Sequence, residues 1–162
     1  AAEAPCEVVD QKAGARMLMR LEDHVEPVRS IVRSQRIQGH PDLAGMVRVI
    51  VDDPDAPRPQ PWVHWVLYAI GPNCTHLPEG IPPAERVSDP PGLLQGTNSW
   101  DKTGYGGPAP PPGHGVHHYH FKLYALDSAL ELAPGLTKEA LVKAIDGHVL
   151  AEAELIGTYS RE

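Results

Sequence analysis

The sequence predicts a β-dominated fold with one or two peripheral helices, on three observations. Three segments have the length and apolar patterning of strands. The 162 residues include 18 prolines and 15 glycines, about a fifth of the chain, which favours many turns and few long helices. A single window, 137–149, shows clear helical periodicity. With no internal repeat and no linker, residues 1–162 read as one domain.

Residues 1–45 carry the weakest patterning; 15–37 mix charge and apolar character without a clean period and read as irregular or as short strands. "MVRVIVDD" (46–53) alternates and is β-branched, so it reads as a strand. Strict alternation puts Val47, Val49, Val51 and Asp53 on one face. "DPDAPRPQP" (53–61) has four prolines, which remove donors and fix φ, so it reads as a rigid loop. "WVHWVLYAI" (62–70) is nearly all apolar and reads as a central strand covered on both faces, with Trp62, His64, Val66, Tyr68 and Ile70 expected on one of them.

Residues 71–115 are dominated by turn formers, and a loop that long tends to carry function. "VHHYHFKLYAL" (116–126) reads as a third strand. His117, Tyr119, Phe121, Leu123 and Ala125 are expected on one face, and His118, His120, Lys122, Tyr124 and Leu126 on the other. Thr137 is a candidate N-cap for the helix, with Leu141, Ile145 and Val149 on its apolar face and Val142 and Ala144 beside them. Gly147 is expected to end or bend it. Residues 150–161 read as a further short strand or edge segment.

Hydrophobic content of 41% and charged content of 22% are ordinary for a soluble globular protein. A net charge of −7 argues against a general nucleic-acid binder, which needs a basic surface, yet leaves room for one small anion held by local donors. Cys6 and Cys74 are too few for a disulfide framework and read as one bridge or two idle thiols. No apolar run reaches transmembrane length and no signal-peptide core is legible, so a cytoplasmic setting without membrane insertion is expected.

The chemistry concentrates in "HGVHHYHF" (114–121) and in "DDPDAP" (52–57) before "WVHW" (62–65). A zinc site is not expected, because the histidine run has no cysteine nearby and alternation separates His117 from His118 and His120. Those last two share a face and could hold a metal adventitiously. Asp53, Asp55, His64 and His117 have the makings of an acid–base set, but no serine or cysteine stands in a recognisable nucleophile setting. Taken alone, a mid-strand His64 reads first as a core histidine satisfied by a carboxylate. Two acids in a proline-locked loop, a strand histidine, and a Gly/Pro loop entering a second histidine and a tyrosine also read as parts of a small anion cleft. There the acids would accept from the far ring nitrogens.

These residues resemble the phosphatidylethanolamine-binding protein family, also called Raf-kinase-inhibitor-like proteins. "DDPDAP" with "WVHW" is similar to the family's first signature, and "GPAPPPGHGVHHYHFKLYALD" (107–127) to its second. "GTNSWDKTGYGGP" (96–108) and "GHVLAEAELIGTYSR" (147–161) resemble its bacterial and archaeal branch, and the likeness covers roughly 46–162. The resemblance implies a large antiparallel sheet packed on a smaller one and an anion pocket formed by Asp53, Asp55, His64, Ala109, Pro110, His117 and Tyr119. In it, His64 and His117 would offer N–H donors to a phosphoryl group, Tyr119 its hydroxyl, and Asp53 would orient a histidine or meet the ligand's polar head. His117 is then the working histidine of its run and the others mostly bystanders.

Two departures stand out: His118 occupies the place of the family's usual arginine, and residues 15–45 lack its usual Ser/Pro-rich stretch and L-x-W. The implied function is non-enzymatic binding of a small phosphorylated or anionic ligand, such as a phosphoethanolamine headgroup, with no catalytic residue, metal or cofactor. A protein kinase or another protein is the implied partner. The rival readings are a kinase or protease inhibitor with a vestigial pocket, and a phosphoester or peptide hydrolase using Asp53, His64 and His117.

Overall fold

The structure, a computed structural model, describes residues 7–9, 16–18, 47–71, 74, 77–78 and 80–161. The remainder of 15–37 and the N-terminal departures lie outside them, as does Cys6. β1 (Glu7–Val9) and β2 (Arg16–Leu18) form a two-stranded antiparallel sheet. The larger sheet has five antiparallel strands in the order β5-β4-β3-β6-β7. Its centre is β3 (Val47–Asp53), flanked by β4 (Trp62–Ile70) and β6 (Val116–Leu126), the three segments whose patterning predicts strands. β5 (Leu94–Gln95) is a two-residue strand inside the long turn-rich stretch.

The closing segment is not short. β7 (Val149–Ser160) is twelve residues long and pairs along the whole of β6, from Val116↔Ser160 to Leu126↔Val149. Its inward residues include Ala151, Ala153 and Gly157, too small to make the alternation conspicuous in sequence. Val149 therefore belongs to this strand and not to the helix. The helix, α1 (Lys138–Ile145), starts where Thr137 Oγ1 accepts from Ala140 N at 3.3 Å. It stops short of Gly147, whose φ of 79° only glycine adopts readily. Leu141 and Ile145 are buried by it, while Val142 is exposed.

Each face of the sheet has its own core. Val49, Val51, Leu67, Phe121 and Leu123 pack on one side with Val87 and Leu93 from the long loop. Ile50, Val66, Tyr68 and Leu126 pack on the other against Leu141 and Ile145 of α1. On that second face the buried Asp52 carboxylate accepts from Lys122 at 3.1 Å and pairs with Lys138, which ties the start of α1 to the central strand.

β4 departs from the expected alternation at two β-bulges. Between Val47↔Ile70 and Val49↔Leu67 it holds one residue more than β3, and the surplus falls at Ala69, whose φ is 59°. Between Val51↔Trp65 and Asp52↔Val63 it again holds one more, at His64. The face expected from alternation is broken accordingly. Val66 and Tyr68 join the α1 side, whereas His64 turns to the side of Tyr119, and Ile70 packs with Leu67.

Candidate functional site

His64 is aimed by what borders β4 beyond β5. The loop 96–106 docks along that edge: Gly96 N donates to Val66 O, Ser99 N to Val63 O, and Gly106 N to His64 O, while Val63 N donates to Ser99 Oγ at 2.8 Å. Asn98 shapes the loop internally, donating to Gly104 O and accepting from Trp100 N and Lys102 N. Gly106 has no room for a side chain, because a Cβ there would stand 2.3 Å from Trp100. Its carbonyl accepts from His64 Nδ1 at 2.7 Å. Trp100 meets the His64 ring edge-on at 5.1 Å and Trp62 at 5.3 Å.

His117 is aimed from the neighbouring strands. Val51 pairs with Phe121 and Asp52 with His120, so Asp53 and His117 meet near the end of the β3–β6 ladder. There the buried Asp53 accepts through Oδ2 from His117 Nδ1 at 2.7 Å, and its Oδ1 accepts from Asp55 N. Tyr119 lies between the two histidines: its ring is 5.1 Å from that of His64 and 6.5 Å from that of His117. Its hydroxyl is buried and, among the described residues, has no hydrogen-bond partner. Burial first, then the Asp53 carboxylate, push the phenol pKa upward, so this group remains a neutral donor.

Asp53, His64, His117 and Tyr119 thus converge on one side of the sheet. The other expected residues are placed differently. Asp55 directs its carboxylate to His118, accepting from its backbone N at 2.8 Å and its Nδ1 at 2.7 Å, and these hydrogen bonds hold its pKa below the usual range. His118, standing where the family has arginine, is in this way occupied at the surface. Pro110 is buried and Ala109 exposed on the loop that enters β6. His118 and His120 do not jointly face a metal, since His120 turns to Glu154. Among the described residues no group of three His, Cys, Asp or Glu converges as a metal set.

One side chain counted among the bystanders is not one. His114 Nδ1 lies 2.7 Å from His117 Nε2, with the rings 5.0 Å apart. His114 is exposed and flanked by Gly113 and Gly115, both at positive φ. His64, His117 and Tyr119 are themselves at most 3% exposed, so Trp100 and His114 form the outer layer of the cluster. The sequence signal for His114 was its glycine on each side, which permits a backbone that returns the ring over the strand.

The arrangement presents an Nε2 donor from either histidine only when that imidazole is protonated. A carbonyl and a carboxylate only accept, so both Nδ1 atoms carry hydrogen. When an imidazole is neutral, its Nε2 is then a bare acceptor. Burial lowers the pKa of His64, against smaller opposing effects of Gly106 and Asp53, so its neutral form prevails near pH 7.

The chain is similar to known proteins over most of its length. The family model for phosphatidylethanolamine-binding protein matches residues 33–160. A UPF0098 protein of Pyrococcus horikoshii is 48% identical over 127 residues, 78% of this chain; the match spans 63% of the relative's length, just under two thirds. One from Methanothermobacter thermautotrophicus is 50% identical over 76% of this chain and 78% of its own. Among solved structures, a phosphatidylethanolamine-binding protein homolog of Chlamydia trachomatis superposes with a TM-score of 0.64 at 38% identity, covering 77% of this chain and 78% of that one. E. coli YbcL, described as a member of the mammalian family, gives 0.63 at 29% identity, with 76% of each chain covered.

Proposed function

The chain belongs to the phosphatidylethanolamine-binding protein family, and from that premise we propose that it binds, without turnover, the phosphoryl group of a small ligand at the Asp53–His64–His117–Tyr119 cluster. The ligand class is phosphate or a phosphorylated headgroup such as phosphoethanolamine. The observation that carries this reading is the orphaned Tyr119 hydroxyl, buried between two imidazoles whose far nitrogens are already anchored. An unsatisfied buried hydroxyl costs about 1–3 kcal/mol, and an oxyanion seated against it recovers that energy.

The cluster is covered, with His64, His117 and Tyr119 all buried, which suits a headgroup and not acyl chains. Entry requires the exposed His114 to turn away from His117, and the resulting change at the Trp100–His114 rim is what a kinase or another protein partner would read. No helix among the described residues is long and apolar enough to cross a membrane.

Titration calorimetry with phosphate and phosphoethanolamine tests the proposal. Tyr119→Phe is expected to bind at least tenfold more weakly, about 1.4 kcal/mol, while its thermal midpoint stays level or rises because the buried orphan is gone. His64→Ala and His117→Ala are expected to bind at least tenfold more weakly as well. Equal affinities in wild type and all three variants, or release of product from a phosphoester, would overturn it.

A further inference from the structure

We infer that the site selects oxyanions that still carry a proton, taking a P–O–H donor into His64 Nε2 while Tyr119 donates to a second oxygen. The inference rests on the phosphoryl-binding reading above and adds to it which form of oxyanion is accepted. Its ground is the direction of the hydrogen bonds. His64 commits its Nδ1–H to the Gly106 carbonyl at 2.7 Å with the Gly107 carbonyl close by, and no further side-chain partner engages its ring among the described residues. His117 commits its Nδ1–H to Asp53, and its Nε2 stands against His114. Among the described residues of the cluster, the Tyr119 hydroxyl is a buried donor without a partner.

A fully deprotonated oxyanion would therefore bring its lone pairs against the lone pair of His64. It can bind well only if a proton from solvent is placed on Nε2 at the same time. A hydrogen-phosphate ion brings that proton with it and needs none from solvent. Burial opposes charging His64 from solvent, with the Trp100 and Tyr119 rings standing nearly perpendicular to its own at 5.1 Å. The groups that favour its charged form are Asp53 and Asp52 on β3 and the Gly106 and Gly107 carbonyls. Burial outweighs them. Around His117 the facing groups are Asp53, His114 and the Tyr119 ring, with Asp55 farther out.

Sulfate and inorganic phosphate separate the possibilities because they share shape and charge while only phosphate keeps a proton at mildly alkaline pH. Calorimetric titrations between about pH 7.5 and 9, in buffers of differing ionisation heat, count the protons taken up. The expected result is a nearly constant affinity for phosphate with no proton uptake. Sulfate is expected to bind at least tenfold more weakly at pH 7.5, to lose about tenfold per pH unit, and to take up close to one proton.

In His64→Gln the amide can donate or accept, so sulfate affinity should become independent of pH. Phosphoethanolamine, whose second ionisation lies near pH 6, should behave as phosphate at pH 6 and as sulfate above it. At pH 6, tighter binding of phosphoethanolamine than of phosphate supports the inference with a headgroup as the source, and equal binding supports it with free phosphate. Equal, pH-independent affinities for sulfate and phosphate would overturn the inference while leaving phosphoryl binding intact. So would a parallel fall of both with pH, or a sulfate slope that survives His64→Gln. Failure of every oxyanion to bind would overturn the underlying reading as well.

Discussion

Single side chains set the chemistry, and His64 is where stability and the proposed ligand recognition meet. Its folded-state pKa lies below the ordinary 6.5, with burial the largest cause. A depressed pKa means that its neutral form contributes stability fully above 6.5 and that this contribution is lost as pH falls through the lower folded value. Urea midpoints measured downward from neutral pH should decline below about 6.5 more steeply in wild type than in His64→Gln. Parallel curves would contradict the assignment. The same burial leaves Nε2 bare, so one desolvated ring accounts both for acid sensitivity and for the expected preference among oxyanions. Asp53 and Gly106 act on the site by fixing which ring nitrogen bears hydrogen. That role was only half legible in sequence. An aspartate orienting a histidine is a familiar pattern, whereas a carbonyl forty-two residues from His64 leaves no trace in residue identity.

Elements were legible to the extent that local pattern decides them. β-Branched alternation marks β3, the alternating Tyr119, Phe121, Leu123 and Ala125 mark β6, and Thr137 and Gly147 mark the limits of the helix, because caps and strand faces depend on near neighbours. The bulges of β4 were not legible, because they answer to the loop 96–106 docked on its edge and to the pairing with β3. Ala69 offers a test of the bulge it occupies. In a regular strand, glycine in place of alanine costs about 0.5–1 kcal/mol. At a φ of 59° alanine itself carries about 1–2 kcal/mol of steric cost, which glycine removes. Ala69→Gly should therefore leave the thermal midpoint level or raise it slightly. A drop equivalent to about 1 kcal/mol would show that the strand runs without the irregularity. β7 was under-read for a related reason: small inward residues at 151, 153 and 157 hide the alternation that its pairing with β6 makes plain.

Across the molecule, the sheet separates two kinds of buried polarity. The face that carries the cluster ends in Asp53, His117, Tyr119 and the turned-in His64, while the α1 face buries Asp52 with two lysines and, farther along β3, Arg48. Arg48 is fully buried, donates from Nη1 to Val47 O, and has no partner at Nε or Nη2 among the described residues; burial brings its pKa down to about 10. Replacing an under-satisfied buried charge by an apolar side chain of similar length is commonly neutral or stabilising by about 1–4 kcal/mol. Arg48→Met should therefore raise the urea midpoint or leave it unchanged, and a marked fall would mean that the guanidinium is well paired. Such a change lies on the face away from Tyr119 and should leave ligand affinity within about twofold. The fold and the convergence of His64 with His117 were readable from motif order, but the covering of both by Trp100 and His114 was not. The most direct test of phosphoryl binding is a crystal structure at high phosphate concentration. Density for a tetrahedral anion within hydrogen-bonding distance of the Tyr119 hydroxyl, with His114 turned away from His117, is expected. A well-ordered phosphate elsewhere on the surface, with the Tyr119 hydroxyl still covered and unpartnered, would contradict it.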